Sequence, residues 1–128
     1  MIEIFYSENK IERLLIEAQN KEIDFGFFLE EFLKSDVVVP SEDGVLPDGY
    51  GIAPLVFNKV SIQMLGAFTS LSRASIYKAQ APYCLSIKGI ELLKRMPPNT
   101  GLVVNPSYSV GFEIPPNGIE KILRDFQS

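Results

Sequence analysis

Chemistry calls for a nucleophile, a base, a metal cage or a charged cradle, and this chain of 128 residues is short of each. Cys84 is its single thiol, and there is no histidine. A reactive cysteine needs a base or an electropositive pocket to become a thiolate. Cys84 stands between Tyr83 and Leu85, so it is expected to be buried and structural, a small hydrophobe in the core. Without histidine the usual general base and the commonest metal ligand are also missing. Glu42, Asp43 and Asp48 share a glycine-bearing stretch, yet they do not alternate as calcium ligands do, and no glutamate closes the loop. Glu17, Glu30, Glu31 and Glu120 fall on the polar sides of helices, where solvated charge is ordinary and paired-carboxylate hydrolysis is not indicated. The glycines between Asp43 and Gly51 fit neither glycine-rich phosphate pattern. No catalytic residue, no metal site and no cofactor is expected.

One polar set remains, and its case is positional. Ile62 to Phe68 and Gly101 to Pro106 read as strands, with two helical stretches between them. A connection of that length suits a parallel crossover, which brings both strand ends to one edge of the sheet. Binding sites of open α/β sheets gather at that carboxyl edge. Thr69, Ser70, Arg73, Asn105 and Tyr108 are therefore the candidate binding residues, offering hydroxyls, an amide and one cation. The plainer account is local: Ser70 caps a helix and Asn105-Pro106 shapes a turn. Ser72, Ser75 and Lys78 continue the set as a small polar, basic helix face. If the patch is a surface, Arg73→Glu and Tyr108→Ala leave stability nearly unchanged and weaken partner capture.

Those residues must be positioned by elements whose patterns are mostly clear. Ile11, Leu14, Leu15 and Ala18 keep helical spacing after the cap candidate Asn9. Phe25, Phe28, Leu29 and Phe32 repeat it after Asp24, and Phe27, off the stripe, is expected to widen the buried face. Asp36 to Val39 reads as a strand stopped by Pro40, and residues 41–54 as a loop excursion. Leu55 to Phe57 and Ile62 to Phe68 form a hairpin turning near Asn58-Lys59. The second strand is apolar on both faces, as a central strand is. Ser70 opens a short helix through Tyr77, Pro82 to Leu85 is extended, and Ile87, Ile90 and Leu93 make a further helical stripe. Gly101 to Pro106 and Val110 to Ile114 add strands, and Pro115-Pro116 start a final helix carrying Ile119, Ile122, Leu123 and Phe126. The expected fold class is α/β, a single domain over residues 1–128 with a mixed β-sheet flanked by helices.

Composition narrows the class of function. A chain this long can bury roughly two-thirds of its unfolded surface, so it needs no disulfide or metal staple. The hydrophobic fraction of 46% and charged fraction of 22% suit a folded globular domain. No apolar run is long enough for a membrane span, and no basic-then-apolar leader opens the chain. Sixteen acids against 12 bases leave a net charge of −4, which argues against nucleic-acid binding. A cytoplasmic location is expected.

Several segments in order carry a resemblance. They are Val37-Val38-Val39-Pro40, Ala67-Phe68-Thr69-Ser70, Ala81 to Leu85, the helix from Lys88 to Met96, Gly101 to Pro106, Gly111 to Pro116 and the helix around Ile119 to Leu123. Together, from about Ile11 to Phe126, the chain resembles the SseB amino-terminal domain family, whose founding member was named for enhanced serine sensitivity. Leu71-Ser72-Arg73 stands where similar proteins often carry acids, and Ser107 where a glycine is usual. The resemblance implies a small bacterial intracellular α/β domain with no established enzymatic activity and no catalytic residues to transfer. Larger members carry a second domain, and none is expected here. The reading is a noncatalytic protein-interaction domain of accessory, regulatory or immunity type, whose partner is another protein, with no nucleic acid and no membrane. The alternative is a small-ligand sensor with a pocket at the carboxyl edge of the sheet.

Overall fold

Asn9 starts the first helix: its Oδ1 accepts a hydrogen bond from the Glu12 amide at 3.0 Å, satisfying one of the free donors of a helix terminus. The computed structural model describes residues 4–44 and 53–126; Asp48 and most of the expected loop excursion lie outside the described residues. Helix α1 (Lys10–Gln19) buries Ile11, Leu14 and Leu15. Helix α2 (Phe25–Lys34) buries Phe28, Phe32 and Leu33, and Asp24 occupies its cap position without making a cap bond. Phe27 does not widen the buried face; it is 49% exposed. A helix turns about 100° per residue, and Phe28, Phe32 and Leu33 already fill the contact.

Strand β1 (Asp36–Ser41) runs through Pro40 instead of stopping there. Val38 exchanges two 2.8 Å backbone bonds with Phe68, and the Glu42 amide donates to the Ala53 carbonyl at 2.9 Å. Pro40 lies midway between them and its missing N–H faces a gap in the ladder, so no bond is lost. Strands β2 (Val56–Lys59) and β3 (Ile62–Ala67) form the hairpin, but its turn is two residues later than the composition suggests. Asn58 and Lys59 stay paired with Gln63 and Ile62. Val60 and Ser61 make the turn, with φ of 47° and 68°. Burial of Met64 and Leu65 sets that register, and register outweighs local turn preference.

Beyond β3 come α3 (Leu71–Ala74), a single 3-10 turn (Ser75–Tyr77), β4 (Tyr83–Lys88), α4 (Gly89–Lys94), β5 (Thr100–Val104), β6 (Phe112–Ile114) and α5 (Pro116–Asp125). Ile87 belongs to β4, opposite Val37, and not to the helical stripe. Helix α4 starts only at Gly89, where a Cβ would stand 2.5 Å from the Phe32 carbonyl oxygen.

The main sheet has the order β2-β3-β5-β6. Strands β3 and β5 are parallel, and the other pairs are antiparallel. Strands β1 and β4 form a separate antiparallel ribbon, joined to the end of β3 through Val38 and Phe68. The Gly66 amide bonds Leu55 and the Phe68 amide bonds Val38, so β2 and β1 follow one another along the same edge of β3. One core, built on Leu15, Phe28, Phe32, Val37, Val39 and Leu102, lies between the helices and the strands. A smaller cluster of Leu55, Phe68, Ala74 and Ala81 holds α3 and its 3-10 turn against the β1 side.

Candidate functional site

The parallel crossover brings Thr69, Ser70, Arg73, Asn105 and Tyr108 together at the carboxyl edge of β3 and β5. Asn105 leaves β5 with φ of 58°, a left-handed conformation that asparagine tolerates better than most residues. Its amide accepts from the Thr69 backbone N–H at 3.0 Å and donates to the Thr69 hydroxyl at 2.9 Å and to the Val110 carbonyl at 3.0 Å. Thr69 in turn donates its hydroxyl proton to Glu12 Oε2 at 2.5 Å. Ser107 has φ of 74°, a conformation that glycine adopts without strain.

The centre of the cluster is Glu12, a residue with no accessible surface. Arg73 grips its carboxylate with both arms of the guanidinium, Nε to Oε2 and Nη2 to Oε1, each at 3.1 Å. The Glu8 amide donates to Oε1 at 2.8 Å. Burial pushes the Glu12 carboxyl up, but the hydrogen bonds from Arg73, Thr69 and the Glu8 amide outweigh it and hold the group below its ordinary value. The Arg73 guanidinium is shifted up by its bonds to Glu12, against its own desolvation.

The segment before α1 is strapped to the same place. Arg73 also donates to the Tyr6 carbonyl, and its guanidinium lies 3.7 Å over the Phe5 ring. Ser70 and Ser72 donate to the Glu8 carboxylate at 2.8 and 3.2 Å, and Asn9 donates to the Thr69 carbonyl at 2.8 Å. Tyr108 donates to the Arg73 carbonyl at 2.7 Å. Ser70 also caps α3, accepting from the Arg73 amide at 3.1 Å.

Sequence reasoning thus found five members of the cluster and missed four: Phe5, Tyr6, Glu8 and Glu12. Asparagine at the cap with glutamate three residues on is a capping-box spacing, the one signal that pointed to Glu12. The structure changes what the patch can do. Thr69 and Asn105 are buried, and Arg73 is spent on a buried carboxylate. Arg73→Glu would set two carboxylates against each other, so the expectation of unchanged stability does not hold. A general base works best near the operating pH, whereas Glu12 is shifted the opposite way.

Accessible features lie one turn further along. Leu71 on α3 and Ile76 on the 3-10 turn are 65% and 51% exposed, and Tyr83 is exposed at the start of β4. A cavity of about 520 Å³ opens between α3 and the start of β4, walled by Leu71, Ala74, Ala81, Pro82 and Cys84, with Lys78 at its side. Cys84 is exposed and not buried, because β4 pairs with β1 on one side only. Contact with the cavity wall partly desolvates the thiol and pushes it up from its ordinary value. A second hollow of about 730 Å³, by Leu33, Ile90 and Phe126, is flanked by Lys34, Lys88 and Lys94. Each of these cations already has an acidic partner, in Glu31, Asp36 and Glu91. A shallower hollow of about 300 Å³ follows residues 103–113. Among the described residues no three metal-ligating side chains gather, and no helix is long and apolar enough to cross a membrane.

A family model described as the SseB protein N-terminal domain matches residues 11–121. No curated protein and no solved structure matches the chain.

Proposed function

The chain belongs to the SseB N-terminal domain family, and from that premise we propose that it is a noncatalytic protein-interaction domain of accessory, regulatory or immunity type, working in the bacterial cytoplasm. The observation that carries this reading is the face made by α3, its 3-10 turn and β4. Leu71 stands exposed at the rim of an apolar cavity, and Ile76 is exposed on the adjoining 3-10 turn; exposed apolar side chains beside a concavity favour a partner. The Glu12–Arg73 cluster lies directly behind this face. It acts as a brace: Arg73 belongs to α3, so its grip on Glu12 fixes the angle at which α3 presents Leu71. A preorganised surface loses less freedom on binding. The net charge of −4 favours a partner whose body is basic.

Affinity capture from the native cell tests the reading. Wild type and the variant Leu71→Asp/Ile76→Asp are compared, with melting temperatures measured for both. The expected result is one or more proteins retained by wild type and lost from the equally stable variant. Identical capture by both, or capture by neither, counts against it.

A further inference from the structure

We infer that the free edge of β4 and the adjoining cavity receive an extended segment of the partner protein by strand addition, with an apolar side chain in the cavity and a carboxylate on Lys78, a mode that presupposes the interaction function proposed above. Backbone groups alternate in direction along a strand. Val38 turns its N–H and C=O to Phe68, so Val37 and Val39 turn theirs to β4. Their partners are Ile87 and Leu85. Cys84 and Ser86 consequently turn their N–H and C=O groups outward, away from β1. An edge of this kind is a template for another strand. Strand β4 has six residues, against four in β2 and three in β6, which makes it the longest free edge among the described strands.

The cavity says what such a strand would carry. Residues paired directly across a ladder share a face, so the residue opposite Cys84 sets its side chain on the face of Cys84, which lines the cavity. The walls supplied by Leu71, Ala74, Ala81 and Pro82 are apolar and suit a branched aliphatic side chain. Lys78 is exposed at the same cavity, and its ammonium has no ion pair or hydrogen bond among the described residues. A carboxylate one or two positions from the apolar residue would pair with this ammonium. A second copy of this chain fits poorly. Its own β4, Tyr83 to Lys88, contains no acid and would bring a further lysine to the edge.

Panning a library of random ten-residue segments against the folded protein tests the inference. One arm displays free carboxyl termini and the other displays internal segments, which separates a chain terminus from an aspartate or glutamate side chain. The enriched segments should alternate β-forming residues and share an apolar residue next to a carboxylate. Synthetic copies should bind about tenfold more weakly to Lys78→Glu, the loss expected for one charge-assisted contact. Ser86→Pro, which removes an outward-facing N–H and leaves the β1 ladder intact, should also weaken binding, while Lys121→Glu on α5 should not. Melting temperatures establish that the variants are folded, and Lys78→Glu decides alone should Ser86→Pro fail to fold. Segments without a carboxylate, equal affinity for Lys78→Glu, or no enrichment at all would overturn strand addition. Should lysate capture persist undiminished in Lys78→Glu and Ser86→Pro, the interaction function stands and this mode of binding falls.

Discussion

Glu12 is a buried carboxylate whose burial is compensated by four hydrogen bonds from three residues, one of them the positively charged Arg73. Removing one member of a buried ion pair strands the other, at a cost of about 3–5 kcal/mol. Arg73→Met should therefore lower stability by that amount in urea unfolding, while Glu12→Leu/Arg73→Met should recover most of it. A single variant costing under about 1 kcal/mol, the range of exposed pairs, would mean that the brace contributes little. Glu12 also makes stability depend on pH. Its folded value is lowered, so its contribution is complete above the ordinary 4.5 and is lost as pH falls through the lower folded value. Acid titration should show a shallower stability loss in the double variant than in wild type. Cys84 gives a second test at this scale. Partial desolvation raises its thiol above the ordinary 9.0, so alkylation should keep accelerating beyond that pH; an inflection near neutrality would indicate an activated thiol. The strand-end reasoning located Thr69, Ser70, Arg73, Asn105 and Tyr108, because topology places strand ends. The hydrogen-bond partners Glu8 and Glu12 of Thr69, Ser70 and Arg73 lie 57 to 62 residues away in sequence, and no periodicity encodes a pairing at that separation.

At the scale of elements, the longer helices were legible because their apolar stripes repeat at 3.6 residues, and Asn9 and Ser70 mark the starts of α1 and α3 as caps. The misplacements have a common cause: tertiary register overrode local preference. Pro40 reads as a stop, yet it survives in β1 because its nitrogen faces a gap. Ile87 fits a helical stripe, yet its pairing with Val37 keeps it in the ribbon. Val60 and Ser61 turn the hairpin with positive φ although neither residue favours that conformation. Val60 is 90% exposed, so little packing holds it there. Val60→Asn/Ser61→Gly should raise stability by about 1 kcal/mol, since that dipeptide suits a turn with two positive φ values. Gly89→Ala should act in the other direction. Its Cβ would press on the Phe32 carbonyl, and overpacking against backbone costs about 1–3 kcal/mol. Thermal melts of both variants check the two signs.

For the whole molecule, sheet, brace and binding face form one mechanical chain. Strands β3 and β5 place Thr69 and Asn105, these fix Glu12, Glu12 fixes Arg73, and Arg73 sets α3. The face so presented could not be foreseen from the sequence, because Leu71 and Ile76 fit any short helix until packing leaves them outside. Photo-crosslinking in the native cell tests its role most directly, with a benzophenone side chain at Ile76 and a control at Glu120, exposed on the far helix α5. A discrete protein adduct is expected from position 76, lost on adding Leu71→Asp, and none from position 120. No adduct at 76, or the same adducts at both positions, would contradict a docking face on α3 and β4.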